Sequence, residues 1–154
     1  SSAASDVYKR QNQISEFINL NLNSHIIITR LLLPYFKTNN NGFLIYIGSE
    51  ASYKVGKYGS IYSACKFGLR GFVKSIRIET SLNNIRVTQI NPGIVKTPFY
   101  NNLKISPGIE HDEFIEPNDI SDVIIDVLKI RKGTVIDEIN LTSQKQIVTF
   151  KSKN

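Results

Sequence analysis

Residues Phe43-Leu44-Ile45-Tyr46-Ile47-Gly48 form a short, wholly apolar, β-rich run that ends at Gly48-Ser49. A run this short and this apolar is how a strand covered on both faces of a parallel sheet reads. Its flanks set the architecture. Across residues 13–37, Ile14, Phe17, Ile18, Asn21, Leu22, His25, Ile28 and Leu32 recur at three- and four-residue steps. That is a helix pattern, which Pro34 and the Asn39-Asn40-Asn41-Gly42 cluster bring to a stop. Residues 60–82 repeat the helical spacing through Ile61, Ala64, Cys65, Leu69, Phe72, Ile76 and Leu82, and Asn83-Asn84 ends it. Residues 85–91 (IRVTQIN) alternate and then meet Pro92-Gly93, giving a second strand and a turn. An acidic amphipathic helix starts at Pro117-Asn118-Asp119 and closes at Arg131-Lys132-Gly133, with cations and Gly where a helix end favours them. Residues 134–141 (TVIDEINL) read as a third strand, and the tail from 142 on is weakly determined. The connection 98–116 is long and mixed, a candidate mobile lid.

Helix–strand–helix–strand–helix–strand order predicts right-handed crossovers and a parallel sheet. The expected fold is α/β: the C-terminal part of a Rossmann-like doubly wound parallel sheet, with about three strands and three main helices. A βαβ unit takes about 30 residues, so a chain of 154 residues holds few of them. Residues 12–141 form the expected domain and 142–154 a tail. Ser1–Gln11 (SSAASDVYKRQ) carry no helical or strand period and read as a non-native leader.

Composition excludes several function classes. One Cys rules out an intramolecular disulfide, and with two distant His it leaves no metal site to expect. No apolar run approaches the roughly 18 residues of a membrane helix, and no secretory leader is visible, so a cytoplasmic location and no membrane partner are expected. Charge is uneven: residues 1–100 carry 12 Lys+Arg and 4 acids, residues 101–140 carry 4 and 9, and residues 141–154 carry 3 and 0. The basic residues form no run and do not interleave with aromatics, so nucleic acid is not an expected partner.

The chemistry concentrates in Ser49 … Tyr62-Ser63-Ala64-Cys65-Lys66. Tyr62 and Lys66 are four apart on a helix, so they share a face. A phenol titrates near 10, which makes it a poor acid–base catalyst at neutral pH. An ammonium one turn away favours the phenolate and is expected to lower that value. Such a Tyr can exchange a proton with a carbonyl or alcohol oxygen. Ser49 follows a strand, where parallel sheets place their ligand sites, and its hydroxyl can hold the same oxygen.

These residues, in this order and spacing, resemble the catalytic half of a short-chain dehydrogenase/reductase over about residues 12–141. The family's catalytic Ser, Tyr and Lys match Ser49, Tyr62 and Lys66. Its helix with Asn-Leu and Leu-Pro matches Asn21-Leu22 … Leu33-Pro34, which puts a fourth catalytic residue at Asn21. Its N-P-G-x-V-x-T block matches Asn91-Pro92-Gly93-Ile94-Val95-Lys96-Thr97. The resemblance implies an NAD(P)-dependent oxidoreductase that interconverts a carbonyl and a secondary alcohol, with Tyr62 as acid/base. It implies that Lys66 bonds the nicotinamide ribose, that Tyr62 touches it, and that Pro92, Gly93, the Val95 backbone and the Thr97 hydroxyl bind the carboxamide end. Asn21 would hold a water linking Lys66 to solvent. NAD or NADP is the implied cofactor, with NADP favoured, and a homodimer or homotetramer is the implied assembly.

Other readings accompany this one. Taken alone, Asn21 reads as a satisfied buried amide and Thr97 as a helix cap. Cys65 reads as a small packing residue, and His25 and His111 as structural or surface residues. Ala64, Gly68 and Gly71 allow close helix packing, between subunits or within one chain. The sequence also departs from the family pattern. It has no T-G-x-x-x-G-x-G turn, no N-A-G segment and no residue that separates NAD from NADP. The chain therefore reads as an N-terminally truncated member, inactive alone, with an uncovered edge on strand 43–48. The alternatives are a non-catalytic association domain or inactive fragment, and a sugar-nucleotide epimerase or dehydratase, which shares YxxxK. The ending Glu138-Ile139-Asn140-Leu141 … Gln144 is loosely similar to members acting on 3-hydroxy acids.

Overall fold

A computed structural model of the chain describes residues 10–57, 59–101, 103 and 105–151. Residues 1–9 of the expected leader and 152–154 of the expected tail lie outside the described residues. The first helix begins at Gln11, two residues before the periodic pattern, with the Arg10 backbone N–H donating to Gln13 Oε1 at 3.2 Å.

That helix runs as α1 (Gln11–Ile18), a π turn (Asn19–Asn23) and α2 (Ser24–Thr38). The π turn is absent from the periodicity, because the apolar steps continue on either side of it. A π turn widens the backbone spiral and leaves carbonyls that need other partners. Polar side chains supply some of them: Asn21 Nδ2 donates to Phe17 O at 3.0 Å and Ser24 Oγ to Leu20 O at 2.7 Å. The helix stops where the Asn cluster predicts, with Asn40 in the left-handed region at φ 47°, a conformation that Asn tolerates better than most residues.

Strand β1 (Gly42–Ile47) leads by way of Ser49 into a short 3-10 turn, Glu50–Ser52. Helix α3 (Ser60–Glu79) follows, then a 3-10 turn at Ser81–Asn83 and strand β2 (Ile85–Pro92). Asn84, at φ 54°, makes the reversal between them. A 3-10 turn at Pro98–Tyr100, strand β3 (Ile105–Pro107), helix α4 (Pro117–Lys129), strand β4 (Glu138–Leu141) and strand β5 (Val148–Phe150) complete the described chain. Strands β1, β2 and β4 form a parallel sheet in that order, with Ile47 opposite Ile90 and Gln89 opposite Glu138. This is the expected α/β fold, although the third strand is four residues long rather than eight.

The burial of the two strands departs from their patterns. The wholly apolar β1 is buried on alternate residues only, at Leu44 and Tyr46, while Ile47 is 40% exposed. The alternating β2 is buried along almost its whole length. Position in the sheet is the reason. Among the described residues β2 lies between two partners, whereas β1 has one. Some of the buried polar groups of β2 bond to one another and to β4: Gln89 Nε2 donates to Asn91 Oδ1 at 2.7 Å, and Asn91 Nδ2 to Glu138 Oε1 at 2.8 Å and Asn140 Oδ1 at 3.0 Å, while Thr88 Oγ1 and Gln89 Oε1 are buried without a hydrogen-bond partner.

The apolar core lies between β1–β2 and α3 and is built from Leu44, Tyr46, Leu69, Val73, Ile76, Ile85 and Val87, with Leu22 of the π turn packed against it. Leu69 has no exposed surface. Leu69→Ala should lower unfolding free energy by about 2–5 kcal/mol, read as a lower denaturation midpoint with an unchanged slope.

Described residues of the connection 98–116 meet the tail. β3 pairs antiparallel with β5. Lys151 Nζ donates to Tyr100 O at 2.6 Å, and Lys145 meets Asp112 at 2.8 Å. Nothing in the tail's composition announces this pairing, because three-residue strands carry no usable period.

Candidate active site

Three elements bring the predicted residues to the carboxyl edge of the sheet. β1 delivers Ser49, β2 delivers Pro92-Gly93, and the first two turns of α3 deliver Tyr62 and Lys66. Ser49 is extended (φ −166°, ψ 160°), and its Oγ accepts the Ala51 backbone N–H at 3.1 Å. That bond orients the hydroxyl, which is also hydrogen-bonded to the Tyr62 phenol. The ring of Tyr62 rests edge-on against Phe17, centroids 6.2 Å apart. The residue ahead of the π turn thus supports the phenol.

Lys66 is buried, its ammonium 5.4 Å from the centre of the Tyr62 ring. The expected acidification of Tyr62 does not prevail. Burial, reinforced by the Glu50 carboxylate and Cys65, outweighs the Ser49 hydrogen bond and holds the phenol above its ordinary value of 10. The ammonium stands over the ring face, against the π cloud. Burial likewise lowers the Lys66 ammonium.

Asn21 is half-buried within the π turn, and its amide donates to the Phe17 carbonyl of its own helix. The π turn packs on α3, the helix carrying Tyr62 and Lys66. Pro92 ends the central strand, and the Gly93 backbone N–H donates to Leu141 O at 2.8 Å, which pins the turn to β4. Val95 makes an isolated bridge to Ile115, and Thr97 Oγ1 donates weakly to Val95 O at 3.4 Å. The Thr97 side chain does not cap the following turn.

Cys65 is buried, in keeping with a packing role, and His111 is exposed. His25 sits beside Tyr46, centroids 6.5 Å apart. Burial and the nearby Lys66 charge push its pKa down. Among the small residues of α3, Gly68 faces Leu22 of its own chain, where an added Cβ would lie 3.2 Å from Leu22 Cδ2. Gly71 meets nothing, and Ala64 is exposed.

A cavity of about 320 Å³ opens beside Tyr62 and Gly93. Its walls include groups that the sequence reading did not single out: Glu50, Lys54, Thr142, Ser143 and Gln146. Glu50 was findable, since it directly follows the strand-end Ser49. Thr142 and Ser143 follow the carboxyl end of β4, which pairs with β2, and Gln146 lies just ahead of β5, which pairs with β3. Tyr100 is a further omission. Its phenol is pushed up to about 12 by burial and by the neighbouring Tyr62 and Glu50, while a hydrogen bond from the Val95 backbone opposes the rise. Among the described residues no group of three or more His, Cys, Asp and Glu could hold a metal ion, and no helix is long and apolar enough to cross a membrane.

Comparison with known proteins gives the family and the fold. The chain is 30% identical over 128 residues to sepiapterin reductase of Chlorobaculum tepidum, covering 80% of this chain and 50% of that protein. It is 31% identical over 125 residues to the NADP-dependent 3-hydroxy acid dehydrogenase of Schizosaccharomyces pombe, covering 77% and 48%. The chain thus spans about half the length of the curated relatives it matches. Among solved structures, alcohol dehydrogenase from the archaeon Thermococcus sibiricus, complexed with 5-hydroxy-NADP, superposes with a TM-score of 0.78 at 24% identity, covering 92% of this chain and 58% of that one. The family model described as short chain dehydrogenase matches residues 3–107, and the chain belongs to that family.

Proposed function

We propose that these residues carry the catalytic half of an NAD(P)-dependent oxidoreductase that interconverts a carbonyl and a secondary alcohol. The observation that supports this best is the Ser49–Tyr62 hydrogen bond at the edge of a cavity, with Lys66 one helical turn beyond. The nicotinamide end of a dinucleotide fits the residues present. Tyr62 and Gly93-Ile94 line one cavity of about 320 Å³, and Tyr62 and Lys66 offer a phenol and an ammonium to a ribose. The pyrophosphate end does not, for no Gly-rich turn stands among the 154 residues. Bound nicotinamide would supply or accept the hydride. Ser49 holds the substrate oxygen, Tyr62 gives it a proton or takes one, and Lys66 keeps a positive charge beneath the ring. Asn21, in its π turn, is the proposed holder of a relay water. Tyr100 must release the Val95 backbone before that backbone can bind a carboxamide.

A test uses the intact enzyme with deuterium-labelled NADPH or NADH and a panel of ketones. Deuterium on the carbinol carbon is the expected result. No transfer from either cofactor to any ketone would refute the proposal. The isolated 154-residue chain should bind dinucleotide weakly in calorimetry, and micromolar binding would contradict this.

The pH dependence follows from the state of Tyr62. Alcohol oxidation needs the phenolate and carbonyl reduction needs the phenol. With the phenol held above 10, oxidation should climb steadily with pH past neutrality, while reduction stays level until the phenol ionises. An oxidation plateau already at neutral pH would show that the charge of Lys66 outweighs burial.

The assembly proposal rests on an apolar stripe along the first helix. Leu20 (72% exposed), Leu31 (68%) and Tyr35 (67%), with Ile27 and Ile28 between them, follow helical spacing. A stripe of this kind marks an association surface. A homodimer or homotetramer joined there should dissociate in the Leu31→Glu variant, read by light scattering. An unchanged mass would refute it.

A further inference from the structure

One run of hydrogen bonds joins the two elements that present the Ser49–Tyr62 pair. It starts on α3, where Arg70, one turn beyond Lys66, donates to Glu138 Oε2 at 3.1 Å from both Nε and Nη2. Asn91 Nδ2 donates to Glu138 Oε1 at 2.8 Å. Gln89 Nε2 donates to Asn91 Oδ1 at 2.7 Å and to Ser52 Oγ at 3.3 Å. The Ser52 backbone N–H donates in turn to Ser49 O at 2.9 Å, and the Ser49 hydroxyl bonds the Tyr62 phenol back on α3. Gln89 is the side chain that links the strands to the turn. It is 2% exposed, and its Oε1 is buried without a partner. A buried amide oxygen left unbonded is destabilising, and an apolar side chain of similar length carries no such group. What the amide does that an apolar chain could not is grip Ser52 and Asn91 at once. Ser52 has no exposed surface and closes the turn that Ser49 opens, inside which the Ala51 N–H orients Ser49 Oγ. A shift of this turn therefore carries the Ser49 hydroxyl with it.

We propose that Gln89 is a positioning residue: by holding Ser52 it sets the Ser49 hydroxyl against the Tyr62 phenol. The role in catalysis rests on the oxidoreductase reading above. Gln89 is no part of the cavity wall, so it acts through Ser52 and Ser49 and not on the substrate. The hydroxyl it places favours the ionised phenol, because an O–H donated to a phenolate stabilises the charge. The groups that face this phenol are Lys66 and Cys65 from α3, Glu50 from the turn after β1, and Tyr100 from the turn after β2. A substitution at Gln89 changes none of these charges. Any effect on Tyr62 must come through the position of Ser49.

The test follows the phenol by NMR in the full chain, labelled with carbon-13 at the hydroxyl-bearing carbon of tyrosine. The Tyr62 resonance is the one missing from Tyr62→Phe, and Ser49→Ala sets the displacement that goes with complete loss of the bond. Gln89→Met keeps the length of the side chain and loses the donor, and Ser52→Ala loses the acceptor. Each should move the resonance the same way, by about half of that displacement or more, and neither should add to it when combined with Ser49→Ala. In the intact enzyme, both should shift the rise of alcohol oxidation to higher pH and lower its rate about tenfold at a fixed pH below the phenol's titration, as loss of one hydrogen bond to a charged oxygen gives. Ile76→Ala, which weakens the core farther along α3, should leave the resonance and the pH profile in place. A Tyr62 resonance at the parent position in folded Gln89→Met and Ser52→Ala, or displacements that add in the double variants, would overturn the proposal. Should Gln89→Met fail to fold, Ser52→Ala decides alone. The deuterium-transfer assay separates this outcome from the parent reading. Transfer with an unmoved resonance removes the role of Gln89 alone, and a moved resonance without transfer removes the oxidoreductase reading alone.

Discussion

Tyr62→Phe in the intact enzyme should cut turnover by about a hundredfold to ten-thousandfold while leaving dinucleotide affinity nearly unchanged. The substitution removes one oxygen. The ring stays against Phe17 and beneath the Lys66 ammonium, so the helix and the cation keep their places. What disappears is the group that exchanges a proton with the substrate oxygen and bonds Ser49. Ser49 remains bonded to the Ala51 amide and can still hold the substrate without supplying the proton. The loss should therefore fall on kcat more than on KM. Turnover within tenfold of the parent would sink the assignment of Tyr62 as acid/base.

Gly48→Ala should be the most damaging single-methyl change. The new Cβ would press on Asn91 Oδ1 and sit 2.6 Å from Gln89 Nε2 and 3.3 Å from Ser52 Oγ. All three side chains are buried and already bonded to one another. Either β1 moves away from β2, or the polar cluster breaks and leaves buried groups unsatisfied. Overpacking costs about 1–3 kcal/mol and each orphaned polar group about 1–3 kcal/mol more. A loss of about 3 kcal/mol in a denaturant titration is expected. Since Gly48 adjoins Ser49, activity should fall beyond what the lost stability explains. Gly56→Ala is the control: its Cβ would meet nothing within 4 Å, and it should stay within about 0.5 kcal/mol of the parent. Equal effects from the two substitutions would show that the cluster does not lock the strand end.

The same cluster shows what escapes a reading of the sequence. Thr88, Gln89 and Asn91 belong to the alternating stretch 85–91, whose sequence announces a strand but not its burial. All three are buried, and the partners of Gln89 and Asn91, namely Ser52, Glu138 and Asn140, come from segments 37, 47 and 49 residues away. The pairing of β3 with β5 and the reach of Glu50 across to Gly93 are long-range in the same way.

Local chemistry sufficed for the order of helices and strands, for the Asn-rich stops at Asn40 and Asn84, and for the Ser–Tyr–Lys set. The elements, the stops and the Tyr62–Lys66 pair depend on residues within a few positions of one another, where hydrophobic period, turn propensity and helical spacing act, and Ser49 is marked by its place at the end of a strand. Only the tertiary structure decided which strand became central, that a π turn carries Asn21, and that Tyr62 stays protonated above its ordinary range. Those outcomes depend on what distant segments exclude from water. Burial is a property of the assembled fold, and at this site it outweighs the nearby ammonium that the spacing placed one turn away.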